Sequence, residues 1–388
     1  MRYSFKDIVI DSRTGLNPRK NFVLGSGNNN YITIKDIYNG QINITDKTDK
    51  VDDAAIQIIK KRSRIKEGDV LFVSIGRIGE TAIVTSKDDT WDVNESVFVF
   101  TVNKAIVTPE YFCLLFQSKD VTERLISNSS GSTFKSIKMN QLERMTFDLS
   151  SLSTQKAITS QIAKTKKICE LRTRELELLD ELIKARFVEL FGDLRINPKG
   201  WSIQTFDELS ELITDGEHAT PKRTSEGIYL LSARNVLNHA IQLNDVDYID
   251  QEEYDRISKR MVPKEGDVLI SCSGSVGRCC SVPEGLKFQM VRSAALIRFK
   301  KVISPLFAEY MITSDFVQEQ INASKTASSQ ANLFQGKIAK LKGFVPPVEL
   351  QNEFADFVKQ VDKSKAVVQK ALDEAHILFD NLMQQYFG

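Results

Sequence analysis

The chain has 388 residues, of which 41% are hydrophobic and 27% are charged, and its formal net charge is +1. This length exceeds one ordinary hydrophobic core, so we expect two or more domains, and no apolar run approaches the roughly 18 to 20 residues that a membrane-spanning helix needs. A near-neutral charge does not by itself favour nucleic-acid binding, which usually comes with a basic excess, although basic residues cluster at 60–66 and 259–264.

Cysteine and histidine are too few and too scattered to form a zinc site. The five cysteines are Cys113, Cys169, Cys272, Cys279 and Cys280, and none belongs to a CxxC pair. Since the chain has only three histidines, we predict reduced, packed thiols in a cytoplasmic protein and no bound metal. The N-terminal residues lack an apolar segment after a basic tip, so we expect no secretory signal.

The first globular segment, residues 1–150, is predicted to alternate short strands with helices. The segment GDVLFVSIG, starting at Gly68, begins with a turn and continues as a buried strand. The segment VFVFTV at 97–102 is rich in the branched and aromatic residues typical of strands. PEYFCLLFQSKDVTERLI at 109–126 is expected to form one amphipathic helix that begins at its proline, because proline is favoured in the first helical turn. PLFAEYMITSDFVQEQI at 305–321 is its counterpart in the second half of the chain.

A glycine loop, Gly76-Arg77-Ile78-Gly79, follows the first of these strands. It lacks the GKS or GKT of a phosphate-binding loop, so nucleotide binding is not expected. Two interpretations remain open. Either the glycines only form a tight turn that needs positive φ angles, or the loop brings backbone N–H groups and an arginine against DNA.

A long helix is predicted over residues 155–190, which contain neither glycine nor proline. Apolar residues recur there in steps of four and three, the heptad pattern of a coiled coil, and Thr165, Cys169 and Arg172 weaken the middle of the seam. The preceding residues DLSSLSTQ supply serine and threonine capping candidates. At about 1.5 Å per residue, such a helix is about 54 Å long.

The second half of the chain repeats the first. EGDVLFVSIGRIGETAIV, starting at Glu67, recurs as EGDVLISCSGSVGRCCSV, starting at Glu265, and four further matches follow the same order at shifts of 196 to 201 residues. Five ordered matches predict two structurally related copies, residues 1–192 and 193–388, that close as a pseudo-twofold ring.

The second copy is predicted to contain the same elements. AALIRF at 294–299 is strand-like, and a second glycine loop ends at Arg278. Pro346-Pro347 cannot lie inside a helix, so the second long helix starts after them, and its seam runs from Phe354 to Tyr386.

Each long helix has one apolar stripe, which it buries best against the other helix. Because a whole globular segment separates the two helices in sequence, an antiparallel pair fits the repeat. Arg186 and Lys365 interrupt the two seams at different levels. The alternative is an ordinary helix packed on its own domain.

The sequence shows no catalytic constellation. Pro346-Pro347 precedes Val348 and not the aromatic residue that a DNA methyltransferase uses around a flipped base. GSGN at Gly25 lacks the third glycine of a dinucleotide motif. His218 and His239 have no counterparts in the first copy. We therefore predict a non-catalytic chain without a cofactor.

Together, the repeat period, the paired helices and the GDVL–glycine-loop strands resemble the specificity subunit of type I restriction-modification systems. The resemblance covers essentially the whole chain and extends to PKGWSIQTFDELSELITDGEHATPKR, VPPVELQNEF with its partner DLSSLSTQKAI, and the helix ends ELFG and QYFG. It implies an α+β fold with two globular target-recognition domains in a tandem pseudo-twofold repeat, separated by two long antiparallel coiled-coil helices. The recognition domains would be residues 1–150 and 193–346, and the helical spacers 151–192 and 347–388.

The resemblance also implies a function. Each recognition domain would read one half of a bipartite, asymmetric site in double-stranded DNA, and the helices would set the spacer. Two methyltransferase (modification) subunits would dock on the helical regions and methylate adenine with S-adenosylmethionine. Two restriction subunits, when present, would cleave DNA with ATP hydrolysis. The chain itself would hold no cofactor.

Base reading requires Arg, Lys, Asn or Gln side chains, and further basic and hydroxyl groups contact phosphates. Loops in matching places of the two copies supply the candidates. In the first copy they are Asn17, Arg19, Lys20, Lys35, Arg77, Asn94, Thr133 and Lys135. In the second copy they are His218, Thr220, Lys222, Arg234, Asn235, Ser273, Ser275, Arg278, Arg292, Gln330 and Asn332.

Two other interpretations stay open on the sequence alone. The chain could be a non-catalytic scaffold with two binding modules joined by a coiled coil, or the recognition part of a fused restriction-methyltransferase. The absence of a recognisable methyltransferase or nuclease domain in 388 residues counts against the fused enzyme.

Overall fold

The computed structural model describes residues 1–19, 21–129, 135–324 and 332–388. The chain divides into two compact units: residues 1–173 with 369–388 form unit 1, and residues 174–368 form unit 2. Across the described residues, no helix combines the length and the apolarity that crossing a bilayer requires.

Unit 1 consists of short strands and helices followed by the first half of a long helix. Its strands are β1 (Arg2–Ser4), β2 (Val9–Thr14), β3 (Asn29–Ile32), β4 (Ile37–Tyr38), β5 (Gln41–Ile42), β6 (Asp49–Val51), β7 (Val70–Val73), β8 (Thr81–Ile83), β9 (Trp91–Val93), β10 (Val97–Val102) and β11 (Thr146–Asp148). Its helices are α1 (Phe5–Ile8), α2 (Asp53–Ser63), α3 (Pro109–Gln117), α4 (Lys119–Asn128), α5 (Met139–Leu142) and α6 (Leu152–Phe191), which continues into unit 2, and a 3-10 turn covers Ile34–Asp36.

The central sheet of unit 1 is antiparallel, with the strand order β2-β10-β7-β8. Successive side chains of a strand point to opposite faces. On one face, Phe72 and Phe100 pack with α3. On the other face, Leu71 and Val99 pack with Ile32 of the second sheet, β6-β3-β9. Because both faces are buried, the central sheet meets solvent mainly at its strand ends and the loops that join them.

Unit 2 repeats this plan. Its strands are β12 (Ser202–Thr205), β13 (Ser210–Asp215), β14 (Ile228–Leu231), β15 (Val236–Leu237), β16 (Ala240–Ile241), β17 (Asp247–Ile249), β18 (Val268–Ser271), β19 (Cys279–Ser281), β20 (Phe288–Met290), β21 (Ala294–Phe299) and β22 (Lys342–Val345). Its helices are α7 (Phe206–Leu209), α8 (Gln251–Ser258), α9 (Pro305–Thr313), α10 (Asp315–Ser324), α11 (Gln335–Ile338) and α12 (Val348–Phe387), which ends in unit 1, and a 3-10 turn covers Ala233–Asn235. The sheet orders β13-β21-β18-β19 and β17-β14-β20 match those of unit 1 strand for strand.

The strands predicted at 97–102 and 294–299 are confirmed as β10 and β21. The helices predicted to begin at a proline do begin at Pro109 and Pro305, but each is followed by a break. Ser118 ends α3 and caps α4, since its hydroxyl accepts a hydrogen bond from the Val121 N–H. Ser314 separates α9 from α10 at the equivalent place.

The two long helices have 40 residues each and pair antiparallel, as the repeated seam predicted. In unit 1, the Tyr386 hydroxyl near the end of α12 donates to Gln161 near the start of α6, at 3.2 Å. In unit 2, Lys365 of α12 lies 2.7 Å from Asp180 of α6. Lys365, which interrupts the apolar seam, is therefore part of an ion pair between the helices.

The end of the α6 seam differs from the predicted heptad. The pattern placed Arg186 in the seam, but Phe187 and Phe191 fill the core of unit 2 there. Arg186 lies beside the core and pairs with Glu189 and with Glu353 of α12. The difference arises because a straight helix of 3.6 residues per turn drifts away from a strict seven-residue repeat.

Candidate nucleic-acid interface

The antiparallel register gathers several loops at one edge of the central sheet of unit 1. Thr14 at the end of β2 pairs with Phe98 near the start of β10. Val97 pairs with Val73 at the end of β7. The loops that leave or enter these strands therefore meet at one edge. We call residues 15–19, 74–80, 94–96 and 135–137 the loop edge of unit 1.

Backbone hydrogen bonds hold this loop edge together. The Ser74 N–H donates to the Ser96 carbonyl at 3.0 Å, and the Gly76 N–H donates to the Lys135 carbonyl at 3.0 Å. The Ile137 N–H donates to the Ser74 carbonyl at 2.9 Å. Segments far apart in sequence thus form one preorganised surface.

Glycine is required where two of these segments cross. A Cβ atom on Gly15 would lie 1.7 Å from the Val93 carbonyl oxygen, so the close approach of β2 to β9 excludes any side chain. Gly216 meets the Val291 backbone in the same way in unit 2, with a Cβ distance of 2.4 Å. In the glycine loop itself, Gly76 and Gly79 have φ angles of 75° and 94°, which confirms that the loop is a tight turn.

Unit 2 has the equivalent loop edge, formed by residues 216–222, 272–278, 291–293 and 332–333. Asp215 pairs with Ala295, and Ser271 pairs with Ala294, so the same strand ends converge. The Cys272 N–H donates to the Ser293 carbonyl at 2.8 Å, and the Leu333 N–H donates to the Cys272 carbonyl at 2.9 Å.

The glycine-loop arginines contact protein backbone in both units. Arg77 donates through Nη2 to the carbonyls of Ile34 and Ile37, at 2.7 and 2.9 Å. Arg278 donates to the Ala233 carbonyl at 3.2 Å. Ile34 and Ala233 are the first residues of the two 3-10 turns. Each arginine therefore ties its glycine loop to the neighbouring turn, whatever else it contacts.

The structure brings most of the residues predicted in the first copy to the loop edge of unit 1. Asn17, Arg19, Arg77, Asn94 and Lys135 all lie there, and Arg19 and Lys135 are exposed. The Asn94 side chain also caps its own loop by accepting a bond from the Ser96 N–H at 3.0 Å.

Three first-copy predictions remain. Lys35 lies on the neighbouring 3-10 turn and forms an exposed ion pair with Asp49 at 3.0 Å. Lys20 and Thr133 lie outside the described residues.

In unit 2 the predicted residues also collect at the loop edge. His218, Thr220, Lys222, Ser275 and Arg292 are exposed there. Ser273 and Asn332 are half-buried at the same edge, whereas Gln330 lies outside the described residues. The His218 ring lies 2.9 Å from the Asp215 carboxylate. Arg234, on the 3-10 turn, pairs with Asp247 at 3.0 Å.

The structure does not support a DNA contact for Asn235. Its side chain is only 1% exposed. The carbonyl oxygen accepts from the Ser232 N–H at 2.9 Å, and the amide donates to the carbonyls of Gln242 and Asp245 at 2.9 and 2.8 Å. All of this hydrogen-bonding capacity serves the turn, so we assign Asn235 a structural role.

Sequence reasoning missed Glu95 and Arg62. Glu95 is half-buried at the loop edge of unit 1, and Arg62 of α2 donates to the Thr14 hydroxyl at 3.2 Å. The candidates predicted from the sequence are basic, amide or hydroxyl residues in loops, so they include neither an acid nor a helix residue. The internal repeat could have found Glu95, because it aligns with Arg292.

A cavity of about 910 Å³ lies beside the helices of unit 1 and includes Gly40, Cys113 and Leu114 in its lining. The equivalent place in unit 2 holds His239. Its ring stacks on Tyr310 at 4.1 Å and lies 2.9 Å from the Glu309 carboxylate. Gly40 stands where the repeat has His239, which leaves the cavity of unit 1 open.

Four of the five cysteines are buried free thiols, and Cys169 on α6 is half-buried. Burial raises the pKa of Cys113 and of Cys280 to about 12, so neither forms a thiolate at neutral pH. No group of three or more His, Cys, Asp or Glu side chains in the described residues has the geometry of a metal site. The arrangement offers hydrogen-bond donors and acceptors to a ligand.

Comparison with known proteins agrees with the internal repeat. The model of the type I restriction modification DNA specificity domain matches residues 3–181 and again residues 198–375. The type I restriction enzyme HindI specificity subunit of Haemophilus influenzae is 29% identical over 176 residues, which cover 44% of this chain and 38% of that protein. The EcoBI specificity subunit of Escherichia coli is 26% identical over 162 residues, 41% of this chain and 34% of that protein. These alignments thus span less than half of the curated relatives.

Two solved structures share the fold. The S subunit of a type I restriction-modification system from M. genitalium has a TM-score of 0.59 at 13% identity, covering 100% of this chain and 96% of that one. A chain from a study of complex assembly and conformational transition of the type I R-M system has a TM-score of 0.60 at 16% identity, covering 100% and 97%. At such low identity, these matches establish the fold alone.

Proposed function

The chain belongs to the type I restriction modification DNA specificity domain family, and we propose that it is the DNA-reading specificity subunit of a type I restriction-modification complex. Residues 1–150 and 193–346 act as its two target-recognition domains. Residues 151–192 and 347–388 act as helical spacers between them. The complex works in the cytoplasm on host and incoming DNA.

The observation that carries this proposal is the contrast between framework and loop edge. The two units share strand order, buried sheets and turn hydrogen bonds. Their loop edges share almost no side chains: Arg77 aligns with Ser275, and Glu95 aligns with Arg292. A common scaffold with different exposed chemistry suits a protein that reads two different half-sites.

The side chains of the loop edges have the chemistry of DNA recognition. Asparagine and arginine can bond to base edges in the major groove, and serine, threonine and lysine can bond to phosphates. We assign these roles collectively to Asn17, Arg19, Lys35, Arg77, Asn94, Lys135, His218, Thr220, Lys222, Arg234, Ser273, Ser275, Arg278, Arg292 and Asn332. Lys20, Thr133 and Gln330 remain candidates by sequence.

The long helices supply the remaining parts of the proposal. Each has 40 residues, which corresponds to about 60 Å at 1.5 Å per residue. This length exceeds one turn of B-DNA, about 34 Å, so the half-sites are separated by bases that the chain does not read. Exposed apolar residues such as Leu178 and Val367 offer docking points for two methyltransferase subunits. Those subunits and, when present, two restriction subunits carry the catalysis and the cofactors.

Adenine-methylation mapping of host DNA, by single-molecule sequencing with and without the gene, tests this proposal. The expected result is the loss of one bipartite, asymmetric motif on deletion and its return on complementation. Exchanging residues 1–150 for those of a related chain should then change one half of the motif only. An unchanged methylome, together with failure to co-purify with a methyltransferase, would refute the proposal.

A further inference from the structure

The arginines of unit 2 are almost all engaged within the protein. Nine of the ten arginines between residues 174 and 368 bind a carboxylate or a backbone carbonyl through their side chains. For example, Arg223 lies 3.0 Å from Asp247, and Arg260 lies 3.1 Å from Asp215. These nine stabilise the fold and have less freedom to bind a ligand.

Arg292 is the exception. Its guanidinium donates no hydrogen bond to the described residues and forms no ion pair with them, and the residue is exposed. Its backbone, in contrast, is firmly held. The Arg292 N–H donates to the Glu217 carbonyl at 3.1 Å, and the preceding Val291 N–H donates to the Leu231 carbonyl at 2.9 Å. An unpaired guanidinium on a backbone held by hydrogen bonds is the arrangement that a preorganised recognition residue needs.

Unit 1 has an acid at the equivalent point. Glu95 lies two residues after the end of β9 and two before the start of β10, and Arg292 has the same spacing from β20 and β21. The Glu95 carboxylate accepts no hydrogen bond from the described residues of unit 1. Its negative charge contributes, after burial, to raising the pKa of Tyr31. The same position of the fold therefore presents opposite, unengaged charges in the two units.

The opposite charges distinguish between two kinds of DNA contact. A phosphate attracts a guanidinium but repels a carboxylate, so a position that always faced phosphate would not tolerate glutamate. Base edges carry both hydrogen-bond acceptors and donors, so they can bind either a cationic or an anionic side chain. Arginine donates two bonds to the O6 and N7 of guanine, and glutamate accepts a bond from the N4 amine of cytosine.

We propose that this shared position reads one base pair in each half-site, with Arg292 binding a guanine and Glu95 binding a cytosine. The inference rests on the proposed function and names the base that each of the two residues recognises. Reading one position with opposite side chains also explains how a single scaffold yields an asymmetric site.

Methylation mapping of variants in a host that supplies the partner subunits tests the proposal. Arg292→Gln should relax one guanine of one half-site towards adenine, since glutamine pairs with adenine. Glu95→Gln should relax one cytosine of the other half-site and leave the first unchanged. Arg195→Ala is the matched control, because it removes an exposed arginine of unit 2 that pairs with Asp193.

Binding of the assembled complex to duplexes with 7-deazaguanine provides a second measurement. Replacing the guanine that Arg292 reads removes N7 but keeps O6, so binding of the unaltered complex should weaken by about 5-fold or more, the lower end of the range for a complete bidentate contact. The same replacement should have little further effect on Arg292→Ala.

The outcomes separate the two levels of inference. Absence of any motif that depends on the unaltered chain would remove the proposed function itself. An intact motif that both variants methylate more weakly but with unchanged sequence preference would make Arg292 a phosphate contact and overturn the assignment alone. If Arg292→Gln abolished methylation, the 7-deazaguanine series on the unaltered complex would still decide, since insensitivity at every guanine contradicts the proposal.

Discussion

Gln155 and Gln351 make the same three hydrogen bonds in the two units. The Gln155 amide oxygen accepts from the Thr108 N–H at 3.0 Å, and its nitrogen donates to the carbonyls of Ile106 and Ser150 at 2.8 and 3.0 Å. Gln351 is bound in the same pattern, and both side chains are completely buried. Each glutamine thus joins the start of a long helix to the loop before α3 or α9.

We expect Gln155→Ala to lower the free energy of unfolding by about 3 kcal/mol, because it leaves buried backbone groups without partners and creates a small cavity. Urea denaturation of the whole chain measures the change. Lys156→Ala, at the adjacent exposed position, is the control and should be nearly neutral. Equal effects of the two variants would show that these hydrogen bonds do not stabilise the helix start.

The aspartates of the two GDVL segments bind arginines that come from different strands. In unit 1, Arg13 of β2 lies 2.9 Å from Asp69, and both side chains are nearly inaccessible. In unit 2, Arg298 of β21 binds Asp267 through two bonds of 2.8 and 2.7 Å. The strand register aligns Arg13 with Thr214 and Arg298 with Thr101. The cation has therefore changed strands between the copies while the buried ion pair is preserved.

Arg13→Thr should destabilise the chain by about 3 to 5 kcal/mol, since it leaves the Asp69 carboxylate buried without its cation. Adding Thr101→Arg should restore most of this loss, because the double variant copies the arrangement of unit 2. Thr101→Arg alone introduces a second cation and should be unfavourable. Denaturation midpoints of the three variants measure these effects. If the double variant is no more stable than Arg13→Thr, the arginine cannot be moved from one strand to the other.

Much of the fold could be predicted because the sequence contains two copies of the same pattern. The matching GDVL segments and the helix seams located the central strands and the long helices. The seam failed at Arg186, where the heptad assumption placed a charged residue in the position that Phe187 takes. The break at Ser118 was missed because capping by a serine side chain leaves the amphipathic pattern on either side intact.

The candidate site was less predictable. The chemical type of a loop residue can be read from the sequence, but it does not reveal what the side chain already binds in the fold. Asn235 has the chemistry of base recognition but its amide is consumed inside a turn. Glu95 carries neither a cation nor an amide, so a choice by chemical type does not include it. The equal spacing of Glu95 and Arg292 from the strands on either side shows that they occupy one position.

Substitution of Asn235 tests whether its side chain stabilises the turn or contacts DNA. Asn235→Ala should destabilise the chain by about 2 kcal/mol, because Ser232, Gln242 and Asp245 lose their buried partner. It should leave the methylated sequence unchanged in whatever protein remains folded. Thermal unfolding and methylation mapping together measure both effects. A changed base preference without a loss of stability would return Asn235 to the recognition set.

Asp92 should make unit 1 sensitive to pH. Burial raises the pKa of this carboxyl, and its Oδ2 atom has no hydrogen-bond partner in the described structure. The folded state therefore holds a proton more tightly than the unfolded state, and stability falls as pH rises from about 4, the ordinary aspartate pKa, through the raised value. The aligned residue of unit 2 is Gln289, an uncharged amide.

Asp92→Asn should accordingly raise stability at pH 7, by about 1 to 3 kcal/mol, and the gain should shrink as pH falls towards 4. Urea denaturation of variant and parent across this range measures the difference. Asp89→Asn, in the loop just before β9, is the control. Its carboxyl pairs with Lys60, which lowers its pKa, so that variant should gain nothing at pH 7. A gain from Asp92→Asn that does not depend on pH would contradict the titration.

Substitution of Arg77 tests whether this glycine-loop arginine only anchors the fold or also reads DNA. Arg77→Ser should free the loop from the Ile34 carbonyl and raise amide hydrogen exchange at Gly76 and Gly79 about tenfold or more, the effect of losing a charged hydrogen bond. Glu80 aligns with Arg278, so adding Glu80→Arg should restore protection by copying the anchor of unit 2. If the double variant regains protection and keeps the methylated sequence, Arg77 is an anchor alone. Glu80→Ala alone is the control, since the Glu80 carboxylate pairs with Arg77 at 3.3 Å and accepts the Asn39 N–H at 2.8 Å. If protection returns in the double variant and one half-site changes there but not in Glu80→Ala, the Arg77 guanidinium also reads a base.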